Sequence, residues 1–424
     1  MHETSLYLKD IFMKQAGTPP LRHPALLRPL LVVLLAAGGS AIPTGRAAAL
    51  WEQQNFFPSD NSAFLDVDAA SPERAAALGM QDQGGNAAPL VLHTSNGGRS
   101  WSPGVLPAGQ GPFDIRFPTA LAFLTPDRLL AAVTGFSLRF YRSDNGGAMW
   151  TEIPGLNLGM GAVSQLFTIG PDRAWAAAGD RLLLTTAGGT SWQQAALPEL
   201  GQRSLASVFF LDEQQGWAVG GVSGDEEDGT LPGDGVVLHS RDGGASWEQI
   251  AALPEVSLRR AAFIDPQLGA AVGNSSDLAA LLRTEDGGRS WQPVPLPRVD
   301  GQPVIDLAAV AIFPDGKAFA AGSSGAPGSD QHNAAVLVSD DGGRSWTPDA
   351  SFTGSLDLFA RGAALLDATF PTSRRGWVAG LYLLLVRHTG PGGEGEGEGE
   401  GEGEGAGEGE SEGAGEGEGE GGGG

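Results

Sequence analysis

One short phrase recurs six times along this chain, and every copy ends on tryptophan. The copies are TSNGGRSW at Trp101, SDNGGAMW at Trp150, TTAGGTSW at Trp192, SRDGGASW at Trp247, TEDGGRSW at Trp291 and SDDGGRSW at Trp346. Their spacings of 49, 42, 55, 44 and 55 residues are those of stacked supersecondary units, not of independent domains. The phrase itself encodes a turn. Ser or Thr ends a strand, Asp242, Asp286 or Asp341 can accept bonds from nearby amides, and the paired glycines allow positive φ. A fixed turn then sets the tryptophan between neighbouring units, where a misplaced ring would leave a void.

The cleanest unit, Arg259 to Leu296, reads as four short strands: RRAAFID, GAAVG ending at Gly273, DLAALLRT ending at Thr284, and SWQPVPL from Ser290. Helical periodicity is absent. Several four-stranded units in series predict an all-β fold, a β-propeller, in which each sheet packs on the next around a channel. The last unit has ATFPTSRRGWVAG and LYLLLVRHTGPGG but no tryptophan phrase after them, so it lacks a fourth strand. The segment LWEQQNF from Leu50 matches SWEQI at Ser246 to Ile250. The expectation is therefore seven blades, closed by an N-terminal strand that joins the C-terminal blade. Trp175, Trp217 and Trp377 fall in second strands.

Outside the repeats the chain changes character at both ends. Residues 1–49 read as a leader: Arg22, His23 and Arg28 precede the apolar run LLVVLLAA, and Ala47-Ala48-Ala49 supplies a small-residue cleavage signal before Leu50. The run is about half of the ~20 residues a membrane span needs. Export to a periplasmic or extracellular space is expected, without a lipid anchor, because the chain holds no cysteine. Residues 394–424 continue a Gly-Glu alternation that cannot bury enough apolar surface to order itself, and a disordered tail is expected there. The tail's twelve glutamates make up half of the −24 net charge, so residues 50–393 sit in a chain that stays acidic without it, which argues against nucleic acid as a partner.

Because strands alternate in direction, the tryptophan phrases occupy one face of the ring, and the long insertions from Gln81, Ser223 and Ser323 occupy the other. Binding sites concentrate on variable loops held by a rigid frame. On that second face Arg116, Arg203, Arg259 and Arg361 stand near the starts of inner strands, with Arg260 beside one of them. Such a collar could clamp the carboxylates of an extended acidic partner through planar guanidinium groups. The bland alternative is that these arginines are packed stems with solvated heads, since arginine is nearly the only cation here. Asp225, Glu226, Glu227, Asp228 and Asp234 form an acidic insertion without an EF-hand pattern, and His93 and His332 lack metal-ligand partners at useful spacing, so no metal or other cofactor is expected.

The phrase S/T-x-D-G-G-x-S-W is the Asp-box, of the BNR-repeat type, and with GWAVG before it the repeat resembles the photosystem II stability and assembly factor family. That resemblance implies a non-catalytic seven-bladed propeller, exported or lumenal in a photosynthetic host, acting as a monomer on a protein or peptide partner such as a membrane-complex subunit. It implies an arginine patch on one face, for which Arg116, Arg203, Arg259 and Arg361 are the candidates here. Asn96 and Asn145 replace the box aspartate, Ala187 removes it, and Met149 replaces a Ser/Thr. A rival reading is a carbohydrate-binding or glycoside-hydrolase propeller, sialidase-like, because sialidases also carry Asp-boxes. Sialidases need an arginine triad and a tyrosine nucleophile near the axis. Beyond the leader the tyrosines are Tyr141 and Tyr382, both expected in third strands, and Asp66, Asp114, Asp265 and Asp306 read as turn caps.

Overall fold

The computed structural model describes residues 51–54, 62–82, 87–107, 116–135, 137–154, 161–222, 233–276, 278–327, 332–356, 363–381 and 384–389. The leader, the Gly-Glu tail, Arg361, Asp114, Tyr382 and most of the acidic insertion lie outside these residues.

Each repeat makes one four-stranded antiparallel sheet, and there are seven such sheets, each joined in simple sequential order apart from the last. The inner strands of blades 1 to 7 are Ala63–Ala69, Phe117–Phe123, Gln165–Ile169, Ser204–Phe210, Ser257–Phe263, Val304–Ile312 and Leu365–Thr372. Residues from all seven line a single cavity of about 580 Å³, which places them around the axis. In blade 7 the sheet runs Leu365–Thr372, Arg375–Gly380, Leu385–His388 and then Trp51–Gln53. Trp51 pairs with His388 and Gln53 with Val386. The N-terminal strand thus closes the ring, as the missing seventh phrase predicts.

The Asp-box turns are held as their chemistry suggests, with one addition. In the fourth box the Ser240 hydroxyl donates to Asp242 and accepts the Gly244 amide, while Asp242 accepts the Ser246 amide and hydroxyl. Asp286 and Asp341 repeat this pattern. The first residue of the phrase is therefore an anchor, not only a strand end. Gly243 and Gly244 adopt φ of 72° and 86°. Asn96 and Asn145 accept the same amide bonds. At Ala187, with no carboxylate, the Thr185 hydroxyl accepts the Ala187 and Gly189 amides, and Thr190 donates to Ala187 O.

The box tryptophans divide. Trp150, Trp247 and Trp346 are buried and Trp101, Trp192 and Trp291 half-buried; Trp150, Trp247, Trp291 and Trp346 donate to the second glycine's carbonyl of their own box. The deeper inter-blade wedges are the second-strand tryptophans. Trp175 stacks on Phe210 of the next blade at 3.8 Å and donates to Gly243 O in that blade's box. Trp217 does the same with Phe263 and Gly287. Phe319 stacks on Phe370 in the same way.

Two expectations are corrected. The fourth strand of the reference unit shrinks to Gln292–Pro293, because prolines at 293, 295 and 297 offer no amide to a ladder. A short helix, α1 (Ala350–Ser355), also appears where no helical pattern was read. Asp349 caps it by accepting the Ser351 and Phe352 amides. The helix seats Phe352 edge-on to Trp51 at 5.0 Å, and Trp51 Nε1 donates to Asp349 at 2.7 Å.

Candidate functional site

The channel wall is set by a recurring irregularity. In blades 1, 2, 4, 5, 6 and 7 the inner strand carries a bulge near its start, which shifts its pairing by one residue. The bulge pushes an inner-strand carbonyl against the end of the second strand. A Cβ on Gly79, Gly220, Gly273, Gly322 or Gly380 would lie about 2 Å from such an oxygen, so these positions are glycine for want of space. This is the physical content of the terminal glycine in GWAVG.

Once the bulges are counted, Asp66, Ala120, Gln165, Ser207, Arg260, Ala309 and Asp367 stand at one level, one from each blade. Three of them reach to the following blade. Asp66 accepts the Leu121 amide at 2.8 Å, Gln165 accepts the Val208 amide at 2.9 Å, and Asp367 accepts the Val67 amide at 3.1 Å. One step along the strand, Asp68 accepts the Phe123 amide and the Thr369 hydroxyl. Arg260 is a donor and cannot serve as such a clip. Its guanidinium instead meets Asp367 at 2.5 Å, from blade 5 to blade 7.

Asp66, Asp68, Asp367 and Arg260 are the charged groups among the described residues lining the cavity. Burial first, and then the Asp367 charge, hold the pKa of Asp66 well above the usual carboxylate value. Burial also raises Asp68. Turn residues Thr125, Pro126 and Gly170 continue the lining, so the cavity extends to the Asp-box face, past Phe123, Phe167, Phe209, Phe313 and Phe370.

Sequence reasoning named Asp66 as a turn cap and passed over Asp68 and Asp367. The only available signal was their place in an inner strand, and the bulge hides which of them face inward. Asp265 does cap its turn, accepting the Gln267 and Leu268 amides. Asp306 pairs with Arg259 at 2.5 Å.

The arginines expected as a collar do not stand at one level. Arg116 and Arg203 occupy equivalent positions two residues before the bulged pair, and Arg259 lies three positions further on. Arg116 is buried, donating to Pro107 O and to the Tyr141 hydroxyl, which in turn donates to Glu152. Tyr141 lies in a third strand, as read from the sequence, and burial raises its pKa. Arg203 donates to Leu200 O and lies 3.6 Å from Asp234. Arg260 leaves the collar for the channel. No group of three metal-ligating side chains occurs among the described residues.

No protein-family model matches the chain, and no curated protein matches it in sequence. Solved structures do. YCF48 bound to D1 peptide superposes with a TM-score of 0.55 at 17% identity, covering 82% of this chain and 99% of that one. YCF48 from Cyanidioschyzon merolae gives 0.53 at 19% identity, covering 80% and 98%. An ancestral GH74 enzyme gives 0.53 at 18% identity, covering 80% of this chain and 46% of that one. These are likenesses of fold. They join a YCF48 propeller and a glycoside hydrolase to the same seven-bladed frame, and a shared frame leaves function to the site.

Proposed function

We propose that this chain is an exported, non-catalytic propeller, residues 50–393, that binds an extended segment of a protein partner on the face opposite the Asp-boxes. The observation that carries this reading is the condition of the channel acids. Asp66 and Asp68 are spent on amides of blade 2, and Asp367 on the Val67 amide of blade 1 and on Arg260. A retaining glycosidase holds its two carboxyls roughly 5 Å apart, and an inverting one still farther, to admit sugar or water. Here the channel carboxyls are engaged by amides of neighbouring blades and by Arg260. Arg203 and Arg259, half-buried on the opposite face, keep guanidinium groups against single carboxylates, Asp234 and Asp306, which a partner's carboxylates could replace. The YCF48 structure holding a D1 peptide supports peptide binding as a use of this frame. The leader pattern of residues 1–49 supports export.

The test is capture of acidic extended peptides from an array by the purified protein, against the double variant Arg203→Gln with Arg259→Gln. The variant keeps its melting temperature and binds the selected peptide at least about tenfold more weakly, the loss of one good charge-assisted contact. Undiminished capture rules out these arginines. The glycosidase reading gains ground only if chromogenic glycosides are cleaved and Asp367→Asn abolishes the cleavage.

A further inference from the structure

The cavity on the axis has two unlike sides. Two residues beyond the level of Asp66, toward the Asp-box face, Asp68, Phe167, Phe209 and Thr369 stand at one height with alanines from blades 2, 5 and 6, and all of them line the cavity. Asp68 and Thr369 come from the adjacent blades 1 and 7. Phe167 and Phe209 come from blades 3 and 4, which lie across a ring of seven from blade 7. Their rings are 5.3 Å apart at 54°, both are half-buried, and they give the channel an apolar wall. The acidic side is short of positive charge. Arg260 is bonded to Asp367, so no cation stands within ion-pair distance of Asp66 or Asp68 among the described residues. Asp66 is 9% exposed; its Oδ2 accepts the Leu121 amide, and no donor among the described residues reaches its Oδ1.

We propose that this channel, entered from the Asp-box face, binds a small organic cation: a primary amine on a flat apolar body, its ammonium at Asp66 and Asp68 and its body against Phe167 and Phe209. A buried carboxylate without a cation is costly, and burial raises the pKa of both acids accordingly. An ammonium brings three donors and the missing charge to the unengaged oxygen of Asp66. The faces of the phenyl rings attract the same charge. The volume, about 580 Å³, suits a compact molecule. Two related classes of ligand fit less well. Calcium needs several converging oxygens, and no group of three metal-ligating side chains occurs among the described residues. An amino acid would bring its carboxylate against three acids, with the cavity's guanidinium already held by Asp367. The site shares neither its face nor its residues with the peptide surface at Arg203 and Arg259.

The experiment is calorimetric titration of the full chain at neutral pH with three probes of one shape: phenethylamine, the neutral phenethyl alcohol and the anion phenylacetate. The amine binds at least about tenfold more tightly than the alcohol, and the anion does not bind. Asp68→Asn keeps an oxygen for the Phe123 amide and brings the amine down to the affinity of the alcohol. Arg203→Gln with Arg259→Gln leaves amine binding unchanged, which separates this site from the peptide surface. The proposal is overturned if the amine does not bind at millimolar concentration, if the alcohol or the anion matches it, or if calcium displaces it where sodium at equal ionic strength does not. The three probes on the wild-type chain decide this even where Asp68→Asn does not fold.

Discussion

Gly273 has no need of an unusual backbone angle, yet nothing larger fits there. A Cβ would meet the Ser257 carbonyl at 2.0 Å, and backbone cannot step aside as a side-chain tip can. Gly273→Ala should cost at least about 3 kcal/mol, the range of severe core strain. Gly301→Ala, at φ 79° with nothing within 4 Å, should cost about 1 kcal/mol from backbone strain alone. Chemical denaturation of the two variants checks the order; equal losses would mean the bulge yields. At this scale the turns were legible because a glycine pair, an acid and a hydroxyl at fixed offsets declare their own geometry. The channel residues were not. A single-residue bulge exchanges inward and outward positions, so Arg259 and Arg260, adjacent in sequence, end on Asp306 and Asp367 in two different blades.

The closing strand of three residues does work out of proportion to its length. Trp51 is 1% exposed and lies against Phe352, Phe370 and His388. Trp51→Ala should cost about 3–5 kcal/mol, the usual range for emptying a buried tryptophan site, read as a lowered melting temperature. A change under about 1 kcal/mol would mean that the last blade stands without it. The sequence disclosed this strand by a match to SWEQI and by a phrase missing at the other end. It did not disclose α1, since six residues carry too little period to register and its cap, Asp349, also reads as a loop acid. Nor did it disclose how Trp377 differs from Trp175 and Trp217. Arg387 donates to Gly97 O, the carbonyl corresponding to those the other two tryptophans use, and Trp377 Nε1 has no partner among the described residues.

For the ring as a whole, pH acts on the closing blade. Burial beside Trp51 and Phe319 holds His388 neutral, with its pKa lowered to about 4 from 6.5. A base depressed on folding contributes stability that is present above pH 6.5 and is lost as pH falls toward 4. The loss is on the order of 3 kcal/mol. His388→Phe should remove most of that slope in melting temperatures recorded between pH 7 and 4; an unaltered slope would assign it to His93 and His239, which burial also depresses. The sevenfold frame was readable because stacking repeats one local rule. The junction of blades 7 and 1 was not, because it joins residues some 300 positions apart, as Val67 is from Asp367. Closure by a terminal strand also has a mechanical consequence. Trp51 and His388 stand opposite each other, so tension applied through the two ends of the body would load three rungs one after another. The ring would then unzip from its closing strand first, the initial rupture freeing that strand alone.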